Sequence, residues 1–374
     1  MHRVLVLGAG RIGRTISAFL ATAGDYEVTV ADIDEEHLSS LAKHDCLQTV
    51  VLDVSQTETL LALMQQHLVV ISAVNPSRQH GIASAALGAG VSYFDLTEDV
   101  ANTKRVASVA ERAAQGQIFM PQCGLAPGFV SVAAASLTHE YDALESIEMR
   151  VGALPQHPSN ALRYNLTWSP EGLIHEYCEP CEAIVDGEYR LIEPLEGVEE
   201  LVIDGDAYEA FNTSGGLGTL CDSLKGRVRD LTYKTIRYPG HRDLMDFLLR
   251  DLRLCERREL VIDILERAVP GTQQDVVVVF CAASGMINGE YRRTTDVRKL
   301  YPIEVAGEVR AAIQRTTSAG VCAMVDLYFA GRLPSRGLVR QEQVPLEVFL
   351  DNRFGQHFVP PTVGGRPVVE KRGI

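Results

Sequence analysis

The sequence predicts an α/β fold: a doubly wound parallel sheet of the Rossmann type first, then a second, α+β domain built on a largely antiparallel sheet. Three observations predict it. The N-terminal strand runs straight into a glycine-rich turn and an apolar-periodic helix. Strand and helix patterns then alternate as far as residue 121. Beyond about residue 140 the pattern changes to strands joined by hairpin turns.

The opening strand, Val4-Leu5-Val6-Leu7, is apolar throughout and ends at Gly8, with Gly10 and Gly13 completing a GxGxxG spacing. Gly8 permits a tight turn, Gly10 lets a phosphate approach the backbone, and Gly13 lets the next helix sit against the strand. Ile12, Ile16, Phe19 and Leu20 recur at helical spacing. The free N–H groups of that helix start therefore face the turn, with the positive end of the helix dipole behind them. A second strand, Glu27-Val28-Thr29-Val30-Ala31, ends in Asp32. An acid about 20 residues beyond the turn is where a dinucleotide's ribose hydroxyls are held. A dinucleotide is therefore expected on Gly8, Gly10, Arg11, Ile12, Gly13 and Asp32. Asp32 repels a 2′-phosphate, which favours NAD over NADP; the nearby Arg11 tempers that preference.

The elements continue in order. Residues 35–43 read as a helix, and Gln48–Asp53 as a third strand whose C-terminal edge faces the adenine. Asp53 and Val54 are thus candidate adenine contacts, the alternative for Asp53 being the cap of a helix near Thr57. Leu68–Val74 is the next buried strand, and Ala73, Val74 and Asn75 at its carboxyl end are placed beside the ribose and nicotinamide. A helix over 80–89 stops at Gly90, and the strand Val91–Leu96 puts Asp95 at the same edge. A helix over 99–115 and the strand Gln117–Pro121 bring the count to six strands and five helices.

Bulk properties narrow the partners. A chain of 374 residues is long for one core, so two domains are expected. A net charge of -14 disfavours nucleic acid and anionic membranes, which need a basic face. No apolar run of about 18 residues appears, so no bilayer span is expected, and Arg11 and Arg14 interrupt the N-terminal run that could pass for a signal peptide. The eight cysteines are scattered, which suits free thiols in a reducing cytoplasm. Cys178 and Cys181 form a lone CxxC without a second pair, so no metal is expected.

In the second domain, residues 145–153, 183–192, 231–238, 275–283 and 290–300 read as strands, and Asp186-Gly187 and Asn288-Gly289 as hairpin turns. Val276–Phe280 is apolar throughout, as a central strand covered on both faces would be. The segments GAGRIG at 8–13, GLAPGF at 124–129, RYNLTWSPEGL at 163–173, NTSGG at 212–216 and YKTIRYPGH at 233–241 carry a resemblance. The chain resembles the saccharopine dehydrogenase family from end to end, and within it most the L-lysine 6-dehydrogenases. The resemblance implies that a segment from about residue 310 to 374 completes the dinucleotide-binding domain of residues 1–125. Residues 126–309 would then bind the substrate, and a free edge of their antiparallel sheet would support a homo-oligomer. Saccharopine reductases of the family typically carry an acidic residue where this chain has Ala126, and a basic one near Glu171. Both departures favour a smaller amino acid over saccharopine.

An amine substrate needs a base, a carboxylate clamp and exclusion of bulk water, because a protonated amine cannot release hydride. Arg237 is the candidate clamp, since a guanidinium grips a carboxylate bidentately; its alternative is a surface ion pair. The matching arginine of the related reductases implies the first reading. Tyr164, Asn165, Thr213 and Ser214 are neutral hydrogen-bonding candidates for the α-amino acid end, or else strand-packing and turn residues. The base candidates are Asp95, whose burial would raise its pKa, and His241, which titrates near neutrality. Asp95 could equally cap the helix at 99, and His241 could be a solvated loop residue. Cys123 reads as a packing residue. The expected reaction is NAD-dependent oxidation of a side-chain amine to an imine and semialdehyde with release of ammonia. The alternatives are a saccharopine- or carboxyspermidine-type imine reductase and, lower, a non-catalytic NAD sensor.

Overall fold

Strands β1 (His2–Leu7), β2 (Tyr26–Asp32), β3 (Leu47–Val51), β4 (Val69–Ser72), β5 (Ser92–Asp95) and β6 (Ile118–Met120) alternate with five helices. These are α1 (Arg11–Thr22), α2 (Glu35–Ser39), α3 (Thr57–Met64), α4 (Gln79–Ala89) and α5 (Val100–Ala110). The computed structural model describes residues 1–360 and, beyond them, the backbone of a short ladder between Thr362–Val363 and Arg366–Pro367. The strands pair in the order β3-β2-β1-β4-β5-β6, all parallel. The order reverses between β1 and β4, which is where a doubly wound sheet opens the crevice that takes a ligand. Val4–Leu7 in β1 and Val69–Ile71 in β4 are fully buried, as central parallel strands covered on both faces must be.

The element limits differ from the expected ones for local reasons. Only Leu38 of α2 is buried, so little packing holds further turns, and the helix stops at Ser39 instead of 43. Gly90 ends α4 in the left-handed conformation (φ 71°). Asp99, not Asp95, caps α5 by accepting from Asn102 N–H. Asp53 caps no helix either; its carboxylate accepts from Ser55 N–H in a turn, and α3 starts without a side-chain cap.

The chain divides into two compact units. The first comprises Met1–Val132, Glu304–Arg310 and Gln314–Gly355. The second comprises Ala133–Ile303, Ala311–Ile313 and the described residues from Gln356 onward. Of the segment expected to complete the first domain, residue 361 and residues 364–365 and 368–374 lie outside the described residues.

Between α6 (Phe129–Ser136) and residue 300 run β7 (Ala143–Pro155), α7 (Pro170–Cys178), β8 (Cys181–Val185), β9 (Glu188–Ile192), β10 (Glu199–Ile203) and β11 (Asp206–Asn212). They are followed by α8 (Leu220–Leu224), β12 (Val228–Arg237), α9 (His241–Asp246), α10 (Arg258–Ala268), β13 (Asp275–Ile287) and β14 (Glu290–Leu300). Beyond these come β15 (Ile303–Val305), β16 (Glu308–Arg310), α11 (Ala312–Phe329), β17 (Gly337–Leu338) and α12 (Leu346–Asp351), with β17 extending the parallel sheet beside β6.

The second sheet has the order β10-β11-β12-β7-β13-β14, with β8 and β9 attached beside β12. Its pairs are antiparallel except β7 with β12. The Asp186-Gly187 and Asn288-Gly289 turns both take positive φ, as tight hairpins require, and so does Asp204-Gly205 between β10 and β11. Neighbouring residues of a strand go to opposite faces. Ala210 joins Ile236 and Val278 in one core, while Phe211 joins Tyr164, Tyr177, Met245 and Leu265 in another, beneath α7, α9 and α10.

The cysteine expectation is corrected. Cys178, at the end of α7, and Cys255, in the short turn Leu254–Arg257, form a disulfide across 77 residues of sequence. Packing of α7 on α10 brings the two together, which no local spacing announces. Cys181 remains a free, buried thiol. Among the described residues no helix is long and apolar enough to cross a membrane.

Candidate functional site

In the first unit the opening loop has the shape its glycines imply. Gly8 has φ 99°, and a Cβ there would lie 2.7 Å from the Ala73 carbonyl oxygen. A Cβ on Gly13 would fall 1.8 Å from the Gly8 carbonyl oxygen, so the helix can sit this close only without a side chain. Gly10 is the contrast: nothing lies within 4 Å of a Cβ placed on it. Helix α1 starts there without a side-chain cap and without an acidic residue in its first turn. Open space in front of uncapped N–H groups is what a pyrophosphate needs. Asp32 accepts from Ala9 N–H (2.6 Å) and Asp34 N–H (2.9 Å), one on each carboxylate oxygen. It braces the loop, and each oxygen retains a lone pair for a ribose hydroxyl.

The other dinucleotide candidates line the same carboxyl edge. Ala73 N–H donates to the Leu7 carbonyl, and Val74 packs partly buried on the sheet core. Asn75 accepts from Ser77 N–H at the start of a short turn. Val54 packs on the sheet core, and Asp53 beside it has its pKa held down by the Ser55 hydrogen bonds. Arg11 is exposed and Ile12 half-buried. A nicotinamide dinucleotide fits these residues: Gly8–Gly13 would hold the pyrophosphate and Asp32 a ribose.

Asp95 is fully buried, and burial raises its carboxyl to about 6. Its Oδ1 accepts from Thr97 N–H (3.0 Å) and Gln122 N–H (2.9 Å). Its Oδ2 lies 2.7 Å from the Tyr93 hydroxyl, which also sits 2.6 Å from Gln79 Oε1. One phenolic proton serves only one acceptor at a time, so Asp95 completes the set by donating to Tyr93 when it is protonated, below about 6. With both oxygens committed and no solvent face, Asp95 braces the turn after β6 and is poorly placed as a base.

The second unit gathers a buried polar cluster. On β12, Tyr233, Thr235 and Arg237 share one face, being two residues apart. Arg237 is 2 % exposed and makes no ion pair among the described residues, which removes the surface-pair alternative. One guanidinium nitrogen donates to the Ile236 carbonyl (2.8 Å), while the buried Nε has no hydrogen-bond partner. The guanidinium carbon lies 5.2 Å from the Tyr164 ring centre and 5.8 Å from that of Tyr177. Burial pulls the Arg237 pKa down, yet Tyr177, Tyr164 and Glu176 together hold it above the ordinary arginine value.

Asn165, next to Tyr164, donates to Ser159 Oγ, and its buried Oδ1 accepts nothing. Thr213 Oγ1 meets Thr235 Oγ1 at 2.7 Å, and Ser214 Oγ donates to the Pro180 carbonyl. The structure therefore brings Tyr164 and Arg237 into contact and Thr213 onto Thr235, and gives Ser214 a bracing bond.

His241 departs from the expected near-neutral loop residue. It opens α9 and is 1 % exposed, and burial, then the Arg237 charge, lowers its pKa to about 3. Nδ1 donates to the Leu162 carbonyl (2.9 Å), leaving Nε2 to accept from the Tyr177 hydroxyl (3.1 Å). Neither nitrogen is left for a substrate proton. Tyr177, Glu176, Tyr233 and Thr235 were absent from the expected set. The alternation Tyr233-x-Thr235-x-Arg237 was a usable signal, whereas nothing local links α7 to β12.

Comparison with known proteins agrees with both units. Residues 4–120 match the family model described as saccharopine dehydrogenase NADP binding domain, and residues 124–352 match the saccharopine dehydrogenase C-terminal domain. The mitochondrial alpha-aminoadipic semialdehyde synthase of Rattus norvegicus is 25% identical over 255 residues, covering 64% of this chain and 27% of that protein. Its Bos taurus counterpart is 26% identical over 222 residues, covering 57% and 24%. The chain thus spans about a quarter of the length of these curated relatives. A Saccharomyces cerevisiae structure described as apo saccharopine dehydrogenase (L-Glu forming) superposes with a TM-score of 0.74 at 17% identity, covering 93% of this chain and 95% of that one. At that identity the likeness speaks for the fold.

Proposed function

The chain belongs to the saccharopine dehydrogenase family of NAD(P)-binding oxidoreductases, and from that premise we propose an amino-acid dehydrogenase of the lysine 6-dehydrogenase kind. It oxidises the side-chain amine of L-lysine or a similar amino acid to an imine, which water converts to a semialdehyde with release of ammonia. The observation that carries this reading is Arg237, a guanidinium buried in the second unit whose Nε has no hydrogen-bond partner. A buried guanidinium with an unused donor is costly, and a substrate carboxylate supplies an acceptor and an opposite charge for it. The unpartnered Asn165 Oδ1 is an acceptor suited to the α-ammonium of the same substrate.

Bound NAD supplies the hydride acceptor, and we favour it over NADP because the Asp32 carboxylate would repel a 2′-phosphate. Neither Asp95 nor His241 is free to take the substrate proton. The ammonium therefore loses its proton to water before hydride leaves, and turnover rises with pH toward the ordinary amine range of about 10. Residues 126–309 are read as the substrate-binding part, and a homo-oligomer as the working form.

The second reading is an imine reductase of the saccharopine or carboxyspermidine type, the first of which is favoured by the likeness to the yeast saccharopine dehydrogenase. Ala126 and the exposed Glu171 stand against the first of these: both depart from the pattern of the saccharopine reductases, and a carboxylate at 171 repels a tricarboxylate. The test compares lysine with cadaverine, the same chain without its carboxylate, in wild type and Arg237→Ala. The proposal expects lysine to be preferred by 30-fold or more in kcat/KM, and Arg237→Ala to erase that preference through KM. An unchanged preference in the variant would remove Arg237 from the site.

A further inference from the structure

Arg237 does not hold its position alone. Its guanidinium carbon lies 5.8 Å from the Tyr177 ring centre, and Tyr177 helps to hold the Arg237 charge. The Tyr177 hydroxyl has one proton, and it goes to His241 Nε2, 3.1 Å away. The direction is fixed at the far end. The Leu162 carbonyl can only accept, so His241 carries its proton on Nδ1 and presents a lone pair at Nε2. The bonds thus run one way, Tyr177 donating to His241 and His241 to the Leu162 backbone, which leaves the Tyr177 oxygen only lone pairs to offer the neighbouring Arg237 guanidinium. Reversing any link would set donor against donor.

We propose that Tyr177 and His241 are positioning residues that fix the orientation of the Arg237 guanidinium, and so set affinity for the substrate carboxylate. The inference rests on the reading of Arg237 as the carboxylate clamp. Tyr177 is 1 % exposed and its proton is committed to His241, so it acts through Arg237 and not on substrate. His241 is equally enclosed, by the rings of Tyr164, Tyr177 and Phe211. A guanidinium with rotatable χ angles and an unpartnered Nε would otherwise sample several directions, and a bidentate fork binds only when aimed. The lock costs nothing at the moment of binding, because its bonds are already made in the protein.

The test is a double-mutant cycle read on KM for lysine, kcat, KM for NAD and melting temperature. Tyr177→Phe keeps the ring and deletes the hydroxyl. His241→Leu deletes the acceptor, and His241→Gln keeps an amide oxygen able to accept. The expected result is a rise of about tenfold in KM for lysine with either Tyr177→Phe or His241→Leu. Neither kcat nor KM for NAD should change more than about twofold. The double variant should be no worse than either single one, and His241→Gln should recover part of the loss. Additive effects, or an unchanged KM in Tyr177→Phe, would overturn the proposal. Arg237→Ala is assayed beside them. If it weakens lysine binding while Tyr177→Phe does not, the positioning role falls and the clamp stands. If it leaves binding intact, both fall.

Discussion

Burial shifts the proton affinities of Asp95 and His241 in opposite senses, and each shift has a measurable sign. The Asp95 carboxyl is raised to about 6. Between the ordinary carboxylate value and 6, the folded chain keeps a proton that the unfolded chain has released, so this contribution to stability falls as pH rises. His241 is lowered to about 3. Between 3 and 6.5 the unfolded chain binds a proton that the folded chain refuses, so this contribution is complete above 6.5 and is lost as pH falls. Asp95→Asn preserves an acceptor for Thr97 and Gln122 and a donor for Tyr93. Its stability relative to wild type should improve between pH 4 and pH 7, by roughly 1.4 kcal/mol per pH unit at most, in denaturant titrations. Its dehydrogenase activity should survive, whereas a loss of 100-fold or more with an intact fold would restore Asp95 as the base. At this scale the sequence was a partial guide. It singled out Arg237, Tyr164 and Asn165, which the structure buries, but misjudged the exposure of His241, because burial depends on residues distant in the chain.

The opening loop tests the element scale. Gly10→Ala and Gly13→Ala look alike in sequence and should behave differently. A methyl on Gly10 meets nothing in the protein, so that variant should melt within a few degrees of wild type yet bind NAD at least tenfold more weakly in calorimetry. A methyl on Gly13 collides with the Gly8 carbonyl oxygen, so that variant should lose both stability and binding. Equal NAD affinity for Gly10→Ala and wild type would place the pyrophosphate elsewhere. In the second unit, the bridge between Cys178 and Cys255 pins the last turn of α7, and Arg258 pairs with Glu179 nearby. The exposed ion pair is worth at most about 1 kcal/mol, and the bridge about 2–4. Cys255→Ser should therefore lower stability by about 2–4 kcal/mol, and Glu179→Gln by much less, in chemical denaturation. Elements with strong local periodicity, such as β1, α1 and β13, were legible in advance. Strand β10 was not, because Glu199 and Glu200 interrupt its apolar pattern, although the Asp204-Gly205 turn beside it was a signal left unread.

At the level of the whole molecule, the alternation of strands and helices announced the first unit, since a parallel sheet requires crossover helices that leave a regular imprint. The second unit was legible as strands and hairpins, but its order was not. The pairing of β7 with β13 and β12 joins segments far apart in sequence, and the bond from Tyr177 to His241 crosses 64 residues. Function follows the same division: the dinucleotide loop is local and readable, while the proposed carboxylate clamp is assembled by tertiary structure. The most direct measurement is the stoichiometry of the proposed reaction. Wild-type protein is incubated with L-lysine and NAD at alkaline pH, and NADH and free ammonia are quantified together. One NADH and one ammonia per lysine consumed is the predicted result. No NADH from lysine, with NADH or NADPH instead consumed in the presence of an amino acid and a carbonyl partner, would contradict the account and assign the site to imine reduction.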